Sequence, residues 1–141
     1  MADRTPQERF TEALDECNWA NEELLAGRGA PIKNAFSHSS DATLFGGFGG
    51  HEVGWEQIGP RLDWVARSFA GGSCTYEVLA STVGKDLAVV VQFERGEARL
   101  TDREAPLRID FRVTMAFRLE GDAWKLLHRH ADHMIEQQKP V

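Results

Sequence analysis

The residues best equipped for chemistry lie near the end of the chain, in the run WKLLHRHADHM from Trp124 to Met134, where His128, His130 and His133 stand with Asp132 inside six residues. Imidazole has an unperturbed pKa of about 6.5, so a histidine in an apolar cavity, oriented by a carboxylate such as Asp132, can move protons beside a carbonyl at neutral pH. H-x-H on one strand can also present two ring nitrogens to a metal ion, with Asp132 as a third ligand. An open zinc site needs three converging protein ligands, and this spacing alone supplies two. The third reading is two partly buried histidines satisfied by hydrogen bonds. The catalytic candidates are therefore His128, His130 and Asp132, with no metal and no cofactor assigned. His38 and His51 read as exposed loop residues.

These groups act together only if they share a face, which depends on the elements that carry them. T5-P-Q-E8 is a capping box with proline at the first helical position. Phe10, Ala13, Leu14, Cys17, Ala20, Asn21 and Leu24 then recur at steps of three and four until Gly27 and Gly29, which predicts one long helix. A short second helix is expected over A30-P-I-K-N-A-F-S37, a brief strand over A42-T-L-F45, and a third helix from Trp55 to Phe69, with Pro60 opening its main body or kinking it. The intervening GGFGG has neither the lysine nor the spacing of a phosphate loop and reads as a flexible turn or rim. After Gly72 the pattern changes to period two: Ser73 to Val83, Leu87 to Arg99, Pro106 to Leu119 and Ala123 to Met134 are expected to form an antiparallel meander. Helices first and strands afterwards indicate an α+β fold, with the helices packed on one face of a curved antiparallel sheet.

Alternate strand residues point the same way, so Trp124, Leu126, His128, His130 and Asp132 are expected on one face and Leu127, Arg129, Ala131 and His133 on the other. On the preceding strand Ile109, Phe111, Val113, Met115, Phe117 and Leu119 form the apolar face. A two-residue turn at Glu120 and Gly121 would set Leu119 against Asp122 and turn His128 and His130 inward. Leu87, Val89, Val91 and Phe93 would extend that apolar surface, leaving Gln92 and Glu94 outward, with Glu94 near Arg112. A three-residue joint with a bulge reverses the parity and puts Arg112 beside the histidines. The first register keeps unpaired arginines out of the core and is the one expected.

The whole chain bounds the class. Its 141 residues suit one domain with one core, and 42% apolar against 27% charged residues without a long apolar run give no membrane span, so a soluble chain is expected. The opening MADRTPQERF has no apolar core of a secretory signal, and Cys17 and Cys74 form no CxxC pair, so a cytoplasmic chain with reduced thiols is expected. With a net charge of -6 and no basic stripe, nucleic acid and anionic membrane surfaces are not expected partners.

S40-D-A-T-L-F-G46, G54-W-E56, F111-R-V-T-M-A-F-R118 and W124-K-L-L-H-R-H-A-D132 together resemble the SnoaL-like, ketosteroid-isomerase-like branch of the nuclear-transport-factor-2-like superfamily, from about Phe10 to Met134. The resemblance implies a single cone-shaped α+β domain over residues 1-141, with three N-terminal helices on the concave face of a strongly curved antiparallel sheet. It implies an apolar pocket, for which Trp55, Phe111, Val113, Met115 and Trp124 are the lining candidates, and a homodimer formed through the sheet. The implied activity is a cofactor-independent isomerase, polyketide-cyclase-like or dehydratase reaction on an apolar carbonyl compound by histidine acid-base chemistry. Non-catalytic small-molecule binding or dimeric assembly is the alternative, since this architecture hosts all of these. The aspartate base of ketosteroid isomerases falls on Gly46, and their oxyanion tyrosine falls at or near Ala20, which argues against steroid isomerisation by that route. The W-x-x-x-H-x-H ending also resembles the calcium/calmodulin-dependent kinase association domains, whose pocket arginine corresponds to Met115.

Overall fold

The computed structural model describes residues 4–140. Three helices, α1 (Pro6–Leu25), α2 (Ala30–Ala35) and α3 (Trp55–Ser68), cover one face of a six-stranded curved sheet. Its strands are β1 (Thr43–Phe45), β2 (Glu52–Val53), β3 (Phe69–Val83), β4 (Leu87–Leu100), β5 (Leu107–Glu120) and β6 (Ala123–His133), in the spatial order β2-β1-β6-β5-β4-β3. The α+β cone expected from the sequence is present, and the four long strands form the expected antiparallel meander. Two features add to it: β1 joins β6 in parallel, and β2 is a two-residue strand.

The long helix starts where the capping box predicts. The Thr5 hydroxyl accepts from the Glu8 backbone N–H and the Glu8 carboxylate accepts from the Thr5 N–H, which satisfies two donors that the first turn leaves without partners. Its buried stripe of Phe10, Cys17, Ala20, Leu24 and Leu25 faces the sheet. Phe10 meets Phe117 and Trp124 edge to face at 5.1 and 5.5 Å, and the Trp124 indole N–H donates to the Pro6 carbonyl, so the narrow end of the cone is closed by aromatic packing. Pro60 lies inside α3, and the helix runs through it from Trp55.

The register of the sheet decides which side chains face the helices, and here the structure corrects the sequence reading twice. The β5–β6 joint is a two-residue turn at Gly121 and Asp122, so Leu119 opposes Trp124, with Trp124 and Leu126 inward as expected. Beyond that point Phe117 pairs with Leu126 but Ala116 pairs with His128, leaving Leu127 as an extra residue on β6. One inserted residue reverses the facing of all that follow it. Met115, Val113 and Phe111 therefore have Arg129, Ala131 and His133 beside them on the helix side, while His128, His130 and Asp132 lie on the outer face with Ala116, Thr114 and Arg112. The expected inward orientation of His128 and His130 is thus reversed.

The second correction concerns β4. Val90 pairs with Met115, Gln92 with Val113 and Glu94 with Phe111, so the even-numbered residues share the core face. Ala88, Val90, Gln92 and Glu94 are buried, whereas Leu87 and Val89 are 52% and 43% exposed on the outer face in line with Val91 and Phe93. Glu94 does not meet Arg112, which instead holds Asp132 through two 2.9 Å hydrogen bonds.

Candidate active site

Both reversals deliver charge to the interior. Arg129 and Glu94 meet on the helix side of the sheet in a two-pronged pair, with Nη2 at 2.7 Å from Oε1 and Nη1 at 2.9 Å from Oε2. The Glu94 side chain is 1% exposed and that of Arg129 is 13% exposed. Such a pair forms in a poorly solvated place only when geometry and further hydrogen bonds offset the lost hydration. Gln92 supplies one of these bonds, donating from Nε2 to Glu94 at 2.9 Å and to the Asn18 side-chain oxygen at 3.0 Å. Burial by itself would raise the Glu94 pKa; the charge and hydrogen bonds of Arg129 outweigh it, and Gln92 adds to them, so the carboxyl stays ionised below its usual range.

Two polar links tie the same region to α1. Tyr76 donates its hydroxyl to the Asn18 carbonyl at 3.0 Å and accepts from the Asn21 amide at 3.3 Å. Burial raises the pKa of this phenol, and it pushes the Cys17 thiol up to about 12, so both stay protonated and uncharged.

A cavity of about 80 Å³ opens beside the pair, between the helices and the sheet. Its walls are largely apolar, from Leu24 on α1, Ile32 on α2, Leu62 on α3, and Phe69, Ile109 and Phe111 on the strands. Asn21, Glu94 and Arg129 give it one polar side, and Arg61 also borders it. A water-sized guest needs only about 15 Å³ of such space, so the volume suits a small molecule or several waters.

The residues expected to form the site are scattered around this cavity. Phe111 lines it. Val113 and Met115 are fully buried beneath the sheet's core face without bordering the cavity, and Trp124 packs at the closed end against Phe10. Trp55 stacks on His38, with ring centroids 3.7 Å apart and an interplanar angle of 14°, and does not border the cavity either. His128 and His130 flank Phe45 edge to face on the outer side at 5.2 and 5.3 Å, and His128 Nδ1 lies 2.7 Å from the Thr43 hydroxyl. Asp132 is engaged by Arg112 rather than by either imidazole. Among the described residues, no group of three or more His, Cys, Asp or Glu is placed to hold a metal ion.

Arg129 and Glu94 escaped the sequence reading, although a trace was present. Leu126 and Ala131 are both apolar yet stand five positions apart, an odd step that puts them on opposite faces of a regular strand. The adjacent leucines at 126 and 127 mark where the alternation breaks.

Comparison with known proteins agrees with this architecture. Residues 26–136 match the SnoaL-like domain family. The chain belongs to that family. Among solved structures, this SnoaL-like domain is similar to a ketosteroid isomerase-like protein from Erwinia carotovora atroseptica at a TM-score of 0.78, with 12% identity over 95% of this chain and 100% of that one. It is similar to a nuclear transport factor 2-like superfamily protein from Salmonella enterica, with a TM-score of 0.77 and 19% identity over 94% and 93% of the two chains. A member of the same superfamily from Streptomyces avermitilis, named as a dehydratase, superposes with a TM-score of 0.77 and 15% identity over 93% and 98%. At these identities the likeness concerns the fold. No curated protein matches the sequence significantly. No helix among the described residues is long and apolar enough to cross a membrane.

Two predictions follow from the charges. Arg129→Met leaves Glu94 ionised and buried without its partner, so unfolding free energy from urea titration should fall by about 3–5 kcal/mol; adding Glu94→Leu should restore most of it, because no buried charge then remains. His128 makes stability depend on pH near neutrality. Its burial, and secondarily the charge of His130, hold its pKa below the ordinary 6.5. The unfolded chain therefore binds more protons as pH falls through 6.5, and stability should decline from pH about 7.5 to about 5.5. His128→Asn should flatten that decline in urea titrations at the two pH values.

Proposed function

We propose that this SnoaL-like domain takes a mainly apolar small molecule into the cavity under its helices, with an uncharged carbonyl or hydroxyl end toward Arg129 and Glu94, and acts on it as a cofactor-independent isomerase, cyclase or dehydratase. One observation carries the reading: a two-pronged Arg129–Glu94 pair forms the polar side of an otherwise apolar cavity. The two charges neutralise each other, Arg61 at the cavity's border is paired with Glu52 at 3.8 Å, and the neighbouring phenol and thiol are protonated, so the polar side carries no net charge. An anion there would meet the Glu94 carboxylate and a cation the Arg129 guanidinium, whereas a neutral hydrogen-bonding group meets neither penalty.

The chemistry assigned to this cavity differs from that expected of the histidines. Glu94 is the ionised carboxylate bordering the cavity, and in this proposal it takes the proton from the carbon next to the ligand's carbonyl, while Arg129 donates hydrogen bonds to the oxygen that gains charge. Neighbours of similar shape that are named as a dehydratase and as ketosteroid isomerase-like support this reaction class. A panel of small cyclic and aromatic ketones should raise the melting temperature of the wild-type domain, as any ligand that binds only the folded state does. Proton exchange at the α-carbon of a stabilising ketone, followed by NMR in deuterated water well below the lowered melting temperature of the variant, should drop by about a hundredfold or more in Glu94→Gln while ligand-induced stabilisation persists. Absence of stabilisation by every ketone, or undiminished exchange in Glu94→Gln, counts against the proposal.

A second reading, a homodimer formed through the sheet, is favoured by the outward row Leu87, Val89, Val91 and Phe93 on β4. Single exposed apolar residues are ordinary, but an aligned row on an uncovered sheet face is the type of surface that a partner buries. His128 and His130 lie on this same face. Val89→Arg should convert a dimer to a monomer in sedimentation velocity, with little change in the melting temperature of the monomeric fold; a wild-type monomer at all concentrations opposes this reading.

A further inference from the structure

A second, larger hollow lies against the first. It holds about 390 Å³ between the end of α3 and the β4–β5 joint, and its floor is apolar, from Phe48, Trp64, Leu100 and Leu107. Trp64 and Phe48 are 48% and 42% exposed there, which is unusual for side chains of their size. Phe48 and Phe69 border both hollows, so they form the partition between inner cavity and outer groove.

Phe48 is the exposed member of the partition. Phe48 rests on Phe69 and Phe111 with ring centroids 5.8 and 5.7 Å away, and it belongs to the Gly46–Gly50 segment. Gly49 and Gly50 take φ of +93° and +75°, a region that side chains disfavour. A Cβ on Gly47 would approach the Phe111 ring to 2.5 Å, so the glycine lets this segment lie directly on the cavity wall.

The charge of the groove departs from that of the molecule. Arg67 and Arg103 border it, and neither has an ion-pair partner among the described residues. Arg61, which borders the inner cavity and is paired with Glu52 at 3.8 Å, lies over the Trp64 ring at 4.3 Å. Against these stands one carboxylate in the groove, Asp102, on a chain whose net charge is -6. The inner hollow thus has no net charge on its polar side, while the outer one has an apolar floor with unpaired guanidinium groups at its border.

We infer that the two hollows are halves of one elongated site, parted by Phe48, and that the ligand is an apolar-bodied molecule with an anionic group at its outer end, such as a carboxylate, held by Arg67 and Arg103. The inner half rests on the function proposed above; the outer half does not. Displacement of Phe48 joins the two volumes, and an apolar body then lies along Trp64 and Phe69, with its neutral end toward Arg129 and Glu94.

The test uses two dyes with the same aromatic rings, anilinonaphthalene sulfonate and the uncharged N-phenylnaphthylamine, titrated by fluorescence into the full chain. The sulfonate should bind the wild type about fivefold or more tightly than the neutral dye at low ionic strength, with the preference shrinking as salt is added. Arg67→Gln combined with Arg103→Gln, both exposed positions, should abolish the preference while leaving neutral-dye affinity and melting temperature unchanged. Phe48→Ala should speed association of the neutral dye in stopped flow. A wild type that shows no sulfonate preference or binds no sulfonate dye, a preference that survives in the double variant, or an association rate unaltered by Phe48→Ala overturns the inference. Displacement of the neutral dye by small ketones reports on the inner cavity separately, so a failed charge preference with intact displacement sinks the outer half alone.

Discussion

Arg129 and Glu94 cannot be buried separately. Each charge would cost several kcal/mol in the poorly solvated space beneath the helices, and each is tolerable only because the other sits within hydrogen-bond distance. This mutual requirement organises much of the structure around it. It joins β6 to β4 across the intervening β5, and through Gln92 and Asn18 it reaches α1, which Tyr76 also grips from β3. The long helix is thereby fixed over the sheet by polar contacts at its middle and by aromatic packing at its start. The space left beside that middle region is the cavity.

The same geometry shapes the other face of the sheet. To bring Glu94 inward, β4 must present Leu87, Val89, Val91 and Phe93 outward, and to bring Arg129 inward, β6 must expel His128 and His130. An apolar row and a pair of imidazoles on the outside are thus the complement of an ion pair on the inside. Period two allows no other outcome once the register is set. The outer surface is further ordered by the Arg112–Asp132 pair and, near the cone's closed end, by Arg118, which binds Asp41 and Glu120 and holds the Asp41 carboxyl at about 2, chiefly through its hydrogen bonds.

Membership of the SnoaL-like family defines the cone but leaves its chemistry to the side chains that border the cavity. In this chain the glycine-rich segment that carries Phe48 holds no ionisable group. Those that border the cavity are Glu94 on β4, Arg129 on β6 and Arg61 on α3. A paired carboxylate and guanidinium present less net charge to the cavity than an arginine alone would.

Several elements were legible from the residues because their causes are local. The Thr5–Glu8 capping box and the apolar stripe from Phe10 to Leu24 specify α1 without reference to anything distant, and the alternation from Ile109 to Leu119 names the inward face of β5 directly. The two-residue joint before β6 was legible for the same reason, although it lies one residue later than expected. What the sequence alone did not decide was the facing of β4 and of the second half of β6. On β4 the more apolar row lies outside, because pairing with β5 overrides the strand's own pattern; on β6 the extra residue at Leu127 inverts everything beyond it. Both depend on hydrogen-bond register with a neighbouring strand, a long-range relation at which the adjacent Leu126 and Leu127 hint but which no single strand's pattern fixes. The sequence by itself therefore determined the helices, the strands and the cone, while the tertiary structure decided that arginine and glutamate, and not histidine, face the cavity, since only across paired strands can two opposite charges find each other and be buried together.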